Sequence, residues 1–313
     1  MPDNTNTAPD WTPPGYDALH GSDRVVAEVM RRPRWLIYSA TTAAVVLAWV
    51  WLTLLSNELE RNSGGVSTGP AMAWLTQHLQ SLFGISSGSA TWQWLVSLCL
   101  PQSQSVPITS MWFAAFLMWS FMSVAMMLPS AAPLIRTYAD IADVAAGKGE
   151  PVVPIAYLVA GYLTVWFGFA ALAALVQTVL VNVGLASDVS LPVQGLAAGL
   201  ILLLAGAYQF SELKHACLEK CRNPFSVLFG QWTAERAGVL RLGIQQGLFC
   251  VGCCWGLMLV MLVVGTMNLA WMAFFVLFTI VEKSGKGKVT STLSGGIFLA
   301  WGAATILLSS GML

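Results

Sequence analysis

The stretch from Leu242 to Val264 reads LGIQQGLFCVGCCWGLMLVMLVV and contains no charged side chain. A helix needs about 20 apolar residues to cross the hydrocarbon core of a bilayer, so this stretch predicts a membrane-spanning helix. It also carries Cys250, Cys253 and Cys254, whose i, i+3, i+4 spacing places their side chains on one face of a helix. The same segment therefore predicts both a membrane fold and a cluster of thiols.

The composition of the whole chain agrees with a membrane protein. Of its 313 residues, 56% are hydrophobic and 10% are charged, whereas soluble domains carry about 25% charged residues. The 15 basic and 15 acidic residues cancel, so the chain has no general attraction to nucleic acid, and we expect no nucleic-acid partner. An ordinary soluble enzyme is excluded, and an all-α integral membrane protein in contact with the lipid bilayer is favoured.

Further apolar stretches extend this prediction to about seven transmembrane helices. The seven stretches are 35–55, 108–128, 154–181, 195–210, 242–264, 267–281 and 293–310. With the N-terminus in the cytoplasm, every Lys and Arg except Arg61 lies on the cytoplasmic side, as basic loop residues do in membrane proteins. The sequence therefore predicts a polytopic, multi-pass helical protein of the bacterial cytoplasmic (inner) membrane, with its N-terminus in the cytoplasm.

The boundaries of these stretches divide the chain into five parts. We expect a cytoplasmic N-terminal tail at 1–34, a first transmembrane anchor at 35–55 and an outer interfacial segment at 56–107. A metal-binding membrane domain is expected at 108–283, and an inner loop with the last helix at 284–313. Residues 72–83 of the outer segment are suited to an amphipathic interfacial helix. At the inner face, a turn is expected around Asp140 and Asp143, with both carboxylates solvated.

Five of the six cysteines lie between positions 217 and 254. Cys217 and Cys221 are expected near the cytoplasmic surface, and the face with Cys250, Cys253 and Cys254 approaches the middle of the bilayer from that side. Thiolate is a soft donor that suits Cu(I). Buried cysteine also serves as a small hydrophobic residue, so packing is the alternative to metal binding for these side chains.

A methionine stripe on the second predicted span supplies a second set of soft donors. Met118, Met122 and Met126 recur at i, i+4 spacing and share one face, and Met127 is adjacent. The helical rise puts this stripe at a depth similar to that of the cysteines, so thioether and thiol ligands are predicted to meet. The alternative is that these methionines fill gaps in the helix packing.

Three polar side chains are candidates for auxiliary ligands. His215 lies among charged residues of an inner loop, where a solvated position is the alternative. Glu282 ends the sixth span beside Lys283, where an ionisable group is either functional or interfacial. Asn268 opens the same helix, and capping is its expected role. The sequence contains no paired carboxylates, Ser/His/Asp set or Gly-rich phosphate loop at a suitable depth, so no catalytic residues are predicted.

The motifs of the central region resemble those of a known family. They are Met118-Trp119-x2-Met122-x2-Ala125-Met126-Met127-x-Pro129, Lys214-x2-Cys217-Leu218-x2-Cys221-Arg222-x-Pro224, Gly252-Cys253-Cys254-Trp255 and Gly265-x-Met267-Asn268. In this order, over about 108–283, they resemble a family of uncharacterised bacterial proteins described as predicted metal-binding integral membrane proteins, a domain of unknown function. The resemblance implies a membrane protein that binds a metal ion.

Three functions remain as alternatives at this point. The first is the handling of Cu(I) through the methionine stripe and the three cysteines of the fifth span, with Cys217 and Cys221 as an exchange site at the inner face. The second is a subunit or assembly factor of a larger membrane metalloenzyme complex, and the third is a membrane thiol or metal-dependent oxidoreductase. We expect the first, with copper as the metal ion, a membrane-protein partner or a homo-oligomer, and no enzymatic activity of this chain by itself.

Overall fold

The structure, a computed structural model, describes residues 33–63, 107–185, 192–285 and 288–310. Every regular element within these ranges is a helix, so the expected all-α fold class is confirmed for the described part of the chain. In chain order the helices are α1 Pro33–Ser63, α2 Ile108–Ser130, α3 Ala132–Gly147, α4 Ala156–Asn182, α5 Gly195–Tyr208, α6 Glu212–Arg222, α7 Pro224–Gly230, α8 Arg236–Val264, α9 Leu269–Ser284 and α10 Val289–Ser309.

The chain divides into two compact units, Met1–Thr41 and Thr42–Leu313. Of the first unit, only the beginning of α1 is described. The second unit contains the rest of α1 and the helices from α2 to α10. The interfacial helix expected at 72–83 and most of the N-terminal tail lie outside the described residues.

Within the described ranges, five helices are long and apolar enough to cross a membrane, namely residues 38–56 of α1 and the whole of α2, α4, α8 and α10. Helices α5 and α6 pass the same test only as a pair, with a bend of 63° between them. Helix α9 has 16 residues and is therefore about 24 Å long, which is less than the hydrocarbon thickness of about 30 Å. Five spans are supported, or six with the bent pair, while the seven-span count and the cytoplasmic N-terminus remain predictions.

The prediction of a turn around Asp140 and Asp143 is wrong, because both residues lie within α3. Pro133 lies in the first turn of α3, where backbone N–H groups have no partner within the helix, so the missing N–H of proline costs nothing. The alanine-rich sequence that follows favours a helix. The two aspartates are exposed, as expected. On the opposite face, the hydroxyl of Tyr138 donates to the carbonyl oxygen of Val153 at 2.8 Å, and burial raises the pKa of Tyr138 to about 12.

Helix α8 is the central helix of the second unit and packs against α4, α5, α6 and α9. Its contact with α4 is close because glycines line it on both sides. A Cβ atom at Gly161 would lie 2.3 Å from the carbonyl oxygen of Leu240, and one at Gly243 would lie 2.1 Å from that of Leu158. Glycine allows two helix backbones to approach in this way. The side chain that follows Gly161, Tyr162, is thereby held against α8.

The Gly161→Ala substitution is expected to destabilise the fold, because the added methyl group would overlap the α8 backbone and force the two helices apart. Overpacking of this kind costs about 1–3 kcal/mol. Gly168 is the matched control, since it lies on the same helix and a Cβ atom there would meet nothing within 4 Å. Gly168→Ala should stabilise α4 by up to about 1 kcal/mol through helix propensity. Thermal unfolding of the two variants in detergent measures the difference, and equal unfolding temperatures would contradict the prediction.

The connection between α8 and α9 explains how two apolar helices follow each other directly. Gly265 ends α8 with a φ of 95°, in the left-handed region that glycine adopts without strain. Asn268 then caps α9, because its Oδ1 accepts a hydrogen bond from the backbone N–H of Trp271 at 3.3 Å. The expected capping role of Asn268 is confirmed.

Candidate metal centre

Three cysteine thiols of α8 form the centre of the candidate site. The sulfur atoms of Cys250, Cys253 and Cys254 all lie within 4.8 Å of one another, and those of Cys253 and Cys254 are 3.1 Å apart. None of the three residues is more than 2% exposed. The face that the sequence spacing predicts is therefore present, and its three thiols form a donor set that fits a soft metal ion. We refer to these residues as the thiol triad.

A tyrosine joins the triad to the methionine-bearing helix. The hydroxyl of Tyr162, on α4, lies 3.0 Å from Cys250 Sγ and donates to the carbonyl oxygen of Met127 at 3.0 Å. Tyr162 therefore connects α2, α4 and α8 at the level of the triad. It holds the thiol of Cys250 in place by a contact that the sequence pattern did not indicate.

The four predicted methionine ligands are buried in α2. Met118, Met122, Met126 and Met127 are each at most 1% exposed. The hydrogen bonds described between α2 and the triad region use the Met127 carbonyl and the Ser130 hydroxyl. Coordination of a metal ion by the methionine sulfur atoms remains a prediction.

Helix α6 brings one of its two cysteines to the triad. Cys221 Sγ lies 3.8 Å from Cys253 Sγ. Cys217 Sγ instead packs on the backbone of α8 at Gly252, where a Cβ atom would lie only 2.6 Å from it. Both α6 cysteines are partly exposed, unlike the triad. The two cysteines predicted to form one exchange site thus contact different parts of α8, and metal exchange through them remains a prediction.

Lys283, which the sequence indicated only as a functional or interfacial residue beside Glu282, contacts the triad. Its Nζ donates to Ser130 Oγ at 2.8 Å and to Cys250 Sγ at 3.1 Å. Lys283 also lines an open cleft of about 670 Å³ between α6 and the connection from α9 to α10. The only signal for this contact in the sequence is the position of a lysine at the end of a predicted span.

Glu282, a predicted auxiliary ligand, forms a buried ion pair. Lys214 Nζ lies 2.9 Å from Glu282 Oε1, and neither side chain is exposed. Ser291 Oγ donates to the same carboxylate oxygen at 2.7 Å, and Lys214 Nζ also donates to the carbonyl oxygen of Cys253 at 3.2 Å. The pair therefore ties α6, α8, α9 and α10 together directly behind the triad.

A pattern in the sequence could have revealed the burial of Lys214. Lys214, Cys217, Leu218 and Cys221 follow the i, i+3, i+4, i+7 spacing of one helix face. In the structure this face of α6 packs against α8. Lys214 was instead interpreted as a basic residue of a cytoplasmic loop, because a charged residue so close to a span usually marks the membrane surface.

The two other predicted auxiliary ligands lie apart from the triad. His215 lines the cleft beside Glu212 and Arg222 and is not in the group of clustered ligand atoms formed by the triad. Asn268 lies at the opposite end of α9 from Lys283, about 22 Å away along the helix axis. Metal coordination by either residue remains a prediction.

Comparisons with known proteins agree with a copper-binding centre. Residues 116–305 match a protein family, PpoB2, which is described as a copper chaperone. No curated protein and no solved structure matches the chain. The matched region includes the thiol triad, Cys221, Lys283 and the Lys214–Glu282 pair. Since the match covers more than half of the 313 residues, the chain belongs to the PpoB2 copper chaperone family.

Proposed function

We propose that this chain is a multi-pass membrane copper chaperone, which binds Cu(I) at Cys250, Cys253 and Cys254 and passes it to a partner protein. The observation that carries the proposal is the buried cluster of three thiols, within 4.8 Å of one another, in a chain of a copper chaperone family. Catalysis is not part of the proposed role.

The donor set favours a soft ion, and the number of its ligands favours Cu(I). Thiolates bind Cu(I) and Zn(II), whereas carboxylate and carbonyl oxygens suit harder ions. Structural zinc sites are closed by four ligands, while the triad offers three thiols, with the fourth, Cys221, at its partly exposed edge. A site with few ligands and an accessible edge suits an ion that must leave again.

The surface of the helices supports a position in a lipid bilayer. Leu172, Leu277 and Leu293 are each more than 60% exposed, and large exposed apolar side chains of this kind mark a surface covered by lipid or by another protein. We propose seven spans in the bacterial inner membrane with the N-terminus in the cytoplasm, as the distribution of Lys and Arg indicates. The partner is a membrane protein or a second copy of this chain.

The proposed path of copper uses the soft donors around the triad. Cys221 is partly exposed and lies next to Cys253, so it can exchange the ion with a carrier at the inner face. The methionine stripe of α2 would guide the ion along the other side of the bundle. Thioethers bind Cu(I) without a negative charge, which suits transfer rather than storage.

Metal loading of the purified wild-type chain tests the proposal. The protein is kept reduced in detergent, offered Cu(I) and Zn(II) in turn, freed of unbound metal and analysed by mass spectrometry. We expect about one copper ion per chain, coordinated by sulfur in its X-ray absorption spectrum, because the triad is a single soft site. A folded, reduced chain that retains no copper would overturn the proposal.

A further inference from the structure

Two lysine ammonium groups lie next to the thiol triad, and their charges are balanced differently. Lys214 Nζ is 3.2 Å from the carbonyl oxygen of Cys253, but Glu282 lies 2.9 Å from the same ammonium and neutralises it. Lys283 Nζ is 3.1 Å from Cys250 Sγ, and its other hydrogen-bond partner is the neutral hydroxyl of Ser130. No carboxylate in the described ranges forms an ion pair with Lys283.

The ammonium of Lys283 therefore places an unbalanced positive charge beside the triad. The repulsion between this charge and a bound metal ion is proportional to the charge of the ion. A divalent ion held by the same thiols is repelled twice as strongly as a monovalent ion at the same position. The attraction between the ammonium and the thiolates is the same for either ion, so it cancels from the comparison. Burial of the triad reduces solvent screening and makes the difference larger.

We infer that Lys283 is a specificity-determining residue, whose ammonium makes the thiol triad prefer Cu(I) to divalent ions such as Zn(II). The inference rests on the proposed function, because it concerns the same site. It adds a reason for the preference for Cu(I) over Zn(II). The softness of the thiols does not supply that preference, because Zn(II) also binds thiolates well. Lys283 acts on the ion through space and is not one of its ligands.

The ratio of the Cu(I) and Zn(II) dissociation constants tests this inference. Each constant is measured for the reduced full-length chain by competition with a coloured chelator of the respective ion. In Lys283→Met the ratio should shift toward zinc by about tenfold or more, because one elementary charge in contact with the Cys250 thiol is removed. The Lys283→Gln variant keeps a hydrogen-bond donor for Ser130 and should shift the ratio in the same direction. A shift in both variants shows that the loss of charge, and not the packing of methionine, is the cause.

Two further variants separate charge from structure. Lys283→Arg retains a permanent positive charge and should keep a ratio close to that of the wild type. Lys288→Met is the matched control, because Lys288 lines the same cleft but is exposed and lies 3.6 Å from Glu212; its ratio should not change. An unchanged ratio in Lys283→Met and Lys283→Gln, with copper still bound, overturns this inference alone. A wild-type chain that binds no copper overturns the proposed function and this inference with it.

Discussion

A chain with Cys253→Ala and Cys254→Ala is expected to retain no copper after removal of unbound metal. Two of the three triad donors are lost, and Cys250 with the partly exposed Cys221 leaves too few thiols to hold Cu(I) against a competing chelator. The expected change is from about one copper ion per chain to none that is measurable by mass spectrometry.

Two comparisons make the loss of copper interpretable. Far-ultraviolet circular dichroism should show an unchanged helix content, because alanine is a good helix former and fits a buried cysteine position with only a small cavity. The Cys217→Ala variant tests whether Cys217 is a packing residue or a metal ligand. If Cys217 only packs on Gly252, the variant should retain copper. If Cys217 is a ligand, the variant should lose copper. Full copper retention in the double variant would show that the triad is a packing cluster.

Glu282→Ala is expected to lower the free energy of unfolding by about 3–5 kcal/mol, because it leaves the buried Lys214 ammonium without its partner. The carboxylate also accepts the hydrogen bond of Ser291, so a second buried polar group loses its acceptor. Such a loss is a large part of the 5–15 kcal/mol that stabilises a typical domain. Thermal or denaturant unfolding in detergent measures it.

The exposed pair of Glu212 and Lys288 is the matched control for this experiment. Its side chains are 88% and 62% exposed and 3.6 Å apart, and exposed pairs of this kind contribute about 0–1 kcal/mol. Glu212→Ala should therefore unfold close to the wild type. A combined Lys214→Met and Glu282→Leu variant should recover most of the lost stability, because apolar side chains can replace a buried pair. Equal effects of Glu282→Ala and Glu212→Ala would contradict the prediction.

The features that were predictable from the sequence are those that depend on one helix at a time. The thiol triad follows from the positions of Cys250, Cys253 and Cys254 within a single apolar segment, since helical periodicity alone puts them on one face. The cap at Asn268 follows from a polar side chain directly before a helical segment. The long spans follow in the same way from apolar length.

The features that were missed depend on how separate helices meet. Lys283 and Cys250 are 33 positions apart, and Lys214 and Glu282 are 68 apart, so no local pattern relates them. Depth estimates from helical rise assume that charged residues remain at the membrane surface. The buried ion pair breaks that assumption, because the attraction between the two charges offsets part of their desolvation cost. Helix α3 was missed for a simpler reason, since its polar residues suggested a turn while its alanines favoured a helix.

The residues of the candidate metal centre come from helices that are far apart in the sequence. The centre can therefore be completed only late in the synthesis of the chain. Helices α6 and α8, with Lys214 and all the clustered cysteines, leave the ribosome before α9 and Ser291. Until those later segments arrive, Lys214 has no counter-charge and the side of the triad next to Cys250 lacks its ammonium. The candidate metal centre is thus completed last, although its thiols are made early, because its ion pair and its ammonium form only when α9 and α10 have packed.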